Sequence, residues 1–208
     1  KPNPEKHYDL ALINHNSCLD RVAEWDITKG VFTSHGVLPM LERAKPGADK
    51  YISVSEEVQT ALKKDGFDST IIRNPIDTDY FSPSPIFNKL TNILFLNNRT
   101  EMLGQVKQAC KGFKLRILTG GSFGVKEGIT WADLVITAGR GCYEALSCGK
   151  NVMVVNRNGS DGMVTEDNIF KLRKNNCSGR RNAFQWSAKE IRNELKKYDP
   201  TRSLREYI

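Results

Sequence analysis

Short runs rich in β-forming residues alternate with helical patterns along the whole chain. In its first third the runs are Tyr8 to Asn14 (YDLALIN), Val31 to Ser34 (VFTS), Tyr51 to Val54 (YISV) and Thr70 to Arg73 (TIIR), each about the length of a strand. Between the last two, SEEVQTALKKDGF reads as a helix. Ser55 stands where a cap belongs, Val58, Ala61 and Leu62 share one face, and Gly66 ends it. The spacing predicts a β-α-β unit within one small four-stranded sheet. Further on, NILFL (92–96), KLRIL (114–118), DLVIT (133–137) and NVMVV (151–155) lack the alternation of a half-exposed strand. Runs of that kind are buried on both faces, as in a parallel sheet between helices, with ligands at the carboxyl ends of the strands. Helices are expected near 101–111 and 143–148 and again from Ser187 (SAKEIRNELKKY). Asp199-Pro200 ends the last one before a short segment, 203–208.

The two sets of strands are separated by NPIDTDYFSPSPIF (74–87), which holds three of the chain's eight prolines. Such a stretch is expected to be extended and to act as a linker. The resulting division is a short first domain (1–76), a linker (77–90), a second domain (91–198) and a C-terminal segment (199–208).

Composition narrows the function classes without choosing one. With 208 residues, 39% of them apolar and 26% charged, the chain can fill one ordinary core or two small ones. Its apolar runs are too short for a membrane helix, so a soluble protein is expected. The net charge of +7 suits phosphorylated ligands or peripheral contact with an anionic membrane surface. Nucleic acid is not expected, because Lys and Arg are spread along the chain instead of clustered with aromatics. Five cysteines, odd in number and never in a C-x-x-C pair, read as reduced thiols in a cytoplasmic protein, with no zinc site. The sequence opens on Lys1 without a signal core, which fits a segment cut from a longer chain.

The most informative stretch is ADLVITAGRGCYEALSCGKNVMVV (132–155), which reads strand, Gly-rich turn, helix, Gly149, strand. At the turn, Gly139 and Gly141 allow close backbone approach, the new helix offers unpaired N–H groups, and Arg140 adds a bidentate cation. A phosphate fits that corner, although the same glycines also make a plain tight turn. Glu144, one helical turn on, could accept hydrogen bonds from a ribose diol or simply complement the helix dipole.

These residues, with Glu144-Ala145-Leu146 and Gly149-Lys150 before a buried strand, resemble the donor-binding half of GT-B fold glycosyltransferases of the family 4, group 1 type. The passage YISVSEEVQTALKKDGFDSTIIRNPIDTDYFSP is similar to the stretch between the two domains of the same enzymes, through Ser55, Gly66, Asn74, Asp77, Phe81 and Pro83. NRNGSDGMVTEDNIFKLRKNNCSGRR is similar to a subset of bacterial sugar transferases. The resemblance covers about residues 30–182. It implies an α/β protein of two Rossmann-like domains, the first shortened, that moves a sugar from a nucleoside diphosphate sugar to a saccharide or other hydroxyl acceptor. No cofactor is implied beyond that donor.

Departures are equally specific. The first glutamate of the pair carried by many retaining members would fall at Ile136, and where an Arg and Lys five apart are usual, Arg99 is followed by Gly104. The donor-binding candidates are Arg99, Gly120, Gly139, Arg140, Gly141, Glu144, Gly159 and Asp161. The catalytic candidate is His35, favoured over His15 because Gly36 follows it. Asp77-Thr-Asp79 is better read as a turn cap than as a metal site, so no metal is expected. Two other readings stand beside transfer: a sugar-nucleotide epimerase or hydrolase on the same plan, and a non-catalytic module binding nucleotides or polyanions.

Overall fold

A computed structural model describes residue 3 and residues 5–208 of the chain. The protein is α/β and divides into two compact units, Lys1–Asn74 and Pro75–Ile208.

In the first unit, β1 (Tyr8–Ile13), β2 (Ile27–Ser34), β3 (Lys50–Ser53) and β4 (Thr70–Ile71) form a parallel sheet in the order of the chain. Helix α1 (Leu19–Val22) links β1 to β2, and α2 (Glu56–Lys64) links β3 to β4. The Ser55 hydroxyl caps α2 by accepting from the Val58 amide at 3.3 Å. β2 starts earlier than its apolar run suggests, because Ile27 is drawn into register opposite Tyr8. When each parallel strand joins its next neighbour by a right-handed crossover, every connection lands on the same face. Burial follows that rule. Ile13 and Phe32 pack against Leu19, while Val58 and Leu62 of α2 pack with Tyr51. A Rossmann-like domain carries helices on both faces, whereas here one face has them all.

The second unit holds β5 (Asn92–Leu96), β6 (Lys114–Leu118), β7 (Leu134–Thr137), β8 (Asn151–Asn156) and β9 (Gly159–Met163), ordered β6-β5-β7-β8-β9. The first four are parallel, and β9 runs antiparallel to β8. Helices α3 (Leu103–Ala109), α4 (Val125–Trp131), α5 (Arg140–Ser147), α6 (Ile169–Lys174) and α7 (Ala188–Leu195) cover both faces. Ile93, Phe95, Leu134, Ile136, Met153 and Val155 face the layer of α3 and α7. Their neighbours Leu94, Val135, Val152 and Val154 face the layer of α4, α5 and α6. β5, β7 and β8 therefore feed two cores, which explains their unbroken apolar runs. β6 does not meet that expectation, because it lies at the sheet edge with Lys114 and Arg116 exposed.

Three sequence expectations change. The stretch Gly159–Met163, expected as a loop, is a strand, so the sheet is mixed. GSDGM carries no strand-like apolar pattern, and its pairing with β8 overrides local propensity. The proline-rich stretch is not a free linker either. Phe81 is buried in the second unit's core, the Ser84 amide donates to the Cys148 carbonyl at 3.1 Å, and Lys150 Nζ donates to the Pro85 and Thr130 carbonyls at 2.6 and 3.2 Å. Lys150 is almost wholly buried, and that burial lowers its pKa. The sequence also hides α4, which is short and begins after Gly124 with no side-chain cap.

The C-terminal segment is held at several points within the second unit. Leu204 is buried there, and Arg173 donates to the Tyr207 carbonyl at 2.7 Å. The Arg205 guanidinium donates to the carbonyls of Thr78, Phe81 and Ser147 and to the Ser147 hydroxyl. One cation thus ties the proline-rich stretch to α5. Arg205→Ala strands these acceptors and is expected to cost about 2 kcal/mol, read as a lower urea midpoint with an unchanged slope. A midpoint within error of wild type would show that the clamp contributes nothing.

Candidate functional site

The chain enters the second sheet at β5, steps outward to β6, and returns past β5 to β7. The order therefore reverses between β5 and β7, and connections diverge there to opposite faces. Such a switch point leaves a crevice at the carboxyl ends of the two strands, the usual ligand position in open α/β sheets. The loop after β5 carries Arg99, and the turn after β7 carries Gly139.

The two glycines of that turn have different tasks. Gly139, at the N-cap of α5, has φ 64° and ψ −134° and open space where a side chain would be. It serves the sharp turn. Gly141 has no such space, because a Cβ there would lie 2.5 Å from Thr137 Oγ1 and 3.1 Å from Leu96 Cδ2. Its missing side chain lets the first turn of α5 sit directly on the ends of β5 and β7. That is close helix–strand packing, so the fold itself requires a glycine at 141. The Gly139 amide is already committed, donating to the Cys177 carbonyl at 2.9 Å, and the Gly139 carbonyl accepts from the Cys142 amide at 3.0 Å. Arg140 and Gly141, as the first helical residues, have amides without intrahelical acceptors.

Arg140 and Glu144 lie on one face of α5, with Arg140 Nε donating to Glu144 Oε1 at 2.9 Å. The arginine is largely exposed and the glutamate mostly buried. The four-residue spacing could have revealed this pair, which the sequence reading treated as two independent ligands. Across the switch point, Asn97 Oδ1 accepts from the Arg99 amide at 3.1 Å and Asn97 Nδ2 donates to the Val155 carbonyl at 3.3 Å. Gly120, after β6, lies against Asn98, with 3.6–3.7 Å separating its absent Cβ from that residue. The structure thus gathers Arg99, Gly120, Gly139, Arg140, Gly141 and Glu144 along the carboxyl ends of three neighbouring strands.

Gly159 and Asp161 stand on β9 and have internal tasks. A side chain on Gly159 would meet the Gly179 carbonyl at 2.2 Å, so two backbones touch there. Asp161 Oδ1 accepts from the Asn182 amide at 3.0 Å, and the amides of Gly179 and Arg181 also favour its carboxylate. The carboxylate holds a strap, residues 177–184, against the sheet edge, and Oδ2 is buried without a partner among the described residues. Burial is the largest influence and raises its pKa above the usual carboxylate value. Sequence reasoning missed the strap's importance and missed Thr137, whose buried hydroxyl lacks a partner under α5. It also missed Cys142, which contacts Cys177 beside the turn.

His35 belongs to the first unit, after β2, where its Nε2 lies 3.0 Å from Asn14 Oδ1. Asp77 Oδ1 accepts from the amides of Asp79 and Tyr80 at 3.2 and 2.8 Å, which is a turn cap. Among the described residues no His, Cys, Asp and Glu group could hold a metal ion, all five cysteines are free thiols, and no helix is long and apolar enough to cross a membrane. Neither a protein-family model nor a curated protein matches the chain.

Two substitutions test these roles. Gly141→Ala forces a methyl into Thr137 and Leu96 and is expected to cost about 1–3 kcal/mol, measured by urea unfolding; a neutral effect would mean the seat is loose. For Asp161, a pKa raised in the folded state means stability is fully present below the unfolded value near 3.8 and declines as pH rises through the folded value. Asp161→Asn should flatten that decline in urea midpoints taken from acid to neutral pH, and an unchanged profile would assign the decline to another group.

Proposed function

We propose that the second unit is a Rossmann-like donor domain that binds a nucleoside diphosphate sugar, and that the protein is a glycosyltransferase. The observation that carries the reading is the Arg140–Glu144 pair on the opening turn of α5, beside the Gly139 turn, at the switch point. Four residues apart on a helix, the two side chains are neighbours. A cation for a phosphate and a carboxylate for a vicinal diol then stand about as far apart as those groups are in one nucleotide. In the unliganded pair each charge neutralises the other, which keeps a mostly buried carboxylate compensated. On binding, Arg140 turns to the diphosphate and Glu144 exchanges its ion pair for two hydroxyl donors. Arg140, the amides of Arg140 and Gly141, and Arg99 from the β5 loop stabilise the charge that builds on the departing diphosphate. The sugar passes to a hydroxyl acceptor, and the similarity of the motif at 132–155 to donor-binding segments supports this choice of ligand.

A non-catalytic nucleotide-binding module is the second reading. It is favoured by two facts: the Glu144 carboxylate is tied to Arg140, and the proposed acid or base, His35, belongs to the other unit. Both readings require a nucleotide, so binding is measured first. One of UDP, GDP, TDP or ADP should raise the melting temperature with increasing concentration. Glu144→Ala and Arg140→Ala should each weaken that nucleotide roughly tenfold while staying folded. No shift with any of the four, or full affinity in both variants, would end the proposal. Binding with no sugar transfer from the matching donor would leave the module.

A further inference from the structure

The first unit has a sheet face that none of that unit's own described elements covers. In register, Tyr8, Leu10 and Leu12 of β1 share a face with Ile27, Lys29, Val31 and Thr33 of β2, Lys50 and Ile52 of β3, and Thr70 of β4. None of these residues is buried, and Leu10 and Leu12 are 52% and 70% exposed. On the opposite face Ile13, Phe32, Ser34 and Ser53 are buried. A groove of about 690 Å³ continues the apolar surface around the outer edge of β1, past Leu12 to Val22 and Trp25. Parallel sheets occur with both faces covered, and large exposed apolar patches mark interaction sites.

The charges on the face select the occupant. Leu10 is opposite Lys29 and Val31 is opposite Lys50, so two lysines stand in the middle of the apolar patch, and no acidic residue shares it. A second copy laid face to face would set lysines against lysines. A bilayer would have to take mid-face ammonium groups into its hydrocarbon, which is costly. A helix satisfies both features, its apolar stripe on Leu10, Leu12, Val31 and Ile52 and its flanking carboxylates on Lys29 and Lys50. We infer that this face docks an amphipathic helix with acidic flanks, supplied by a partner. The inference is independent of the nucleotide site.

The test uses the full chain and a fluorescein-labelled designed helix of about 18 residues, with a leucine stripe flanked by glutamates, beside a twin flanked by lysines. Anisotropy titrations should show saturable binding of the acidic peptide and roughly tenfold weaker binding of the basic twin. Lys29→Glu with Lys50→Glu should reverse that preference, and Leu12→Asp should weaken the acidic peptide, with circular dichroism melts confirming that both variants fold. Equal binding of the two peptides, no binding of either, or indifference to the Leu12 change would overturn the inference. So would self-association at the titration concentration that Leu12→Asp abolishes, which gives the face to a second copy. Co-sedimentation with phosphatidylserine vesicles in place of peptide binding would give it to a membrane.

Discussion

The second unit depends on how closely α5 can approach the ends of β5 and β7. Helix and sheet normally keep a side-chain layer between them, but at Gly141 that layer is missing, and Thr137 Oγ1 and Leu96 Cδ2 fill the space a methyl would take. The first turn is therefore fixed at the switch point, and with it the direction of the Arg140 and Gly141 amides. Arg140 and Glu144 inherit their positions from the same seat, since both project from that helix. Ala145 and Leu146, buried on the opposite side of α5, hold it there.

A second constraint acts from the rear of the turn. The strap carries Cys177 and Ala183 in the left-handed backbone region, with Asn176 just before it, at φ between 48° and 53°, a conformation costing about 1 kcal/mol or more per residue. Asp161 holds the strap in place, and the Cys177 carbonyl takes the Gly139 amide. The turn is braced by that bond, while the amides of Arg140 and Gly141 have no acceptor within the helix. The strain thus has a structural use, which is to deliver one carbonyl to one amide between segments 38 residues apart in sequence, from Gly139 to Cys177.

What could be read from sequence follows from what is local. NILFL, DLVIT and NVMVV announced buried strands because their apolar side chains meet one of two apolar layers, whereas KLRIL announced a strand but not its place at the sheet edge, where Lys114 and Arg116 are exposed. Ser55 announced its helix because capping is a matter of three residues. The turn at 138–141 was legible for the same reason. GSDGM was not, since only β8 and the strap make it a strand. The docking of Phe81, Pro85 and Arg205 was equally hidden, because those contacts join segments more than 60 residues apart. Within the site, the residue types were readable but their pairing was not used, and the packing that requires a glycine at 141, against Thr137 and Leu96, was hidden. The bare face of the first sheet needed strand order, which no single segment contains.

The most direct measurement is the amide spectrum of ¹⁵N-labelled protein titrated with the nucleoside diphosphate that binds. If the opening turn of α5 holds the diphosphate, the amide signals of Arg140 and Gly141 should move furthest, with Arg99 following and the strap little changed. Saturation of the protein with those two signals unmoved, and the large changes elsewhere, would contradict the account.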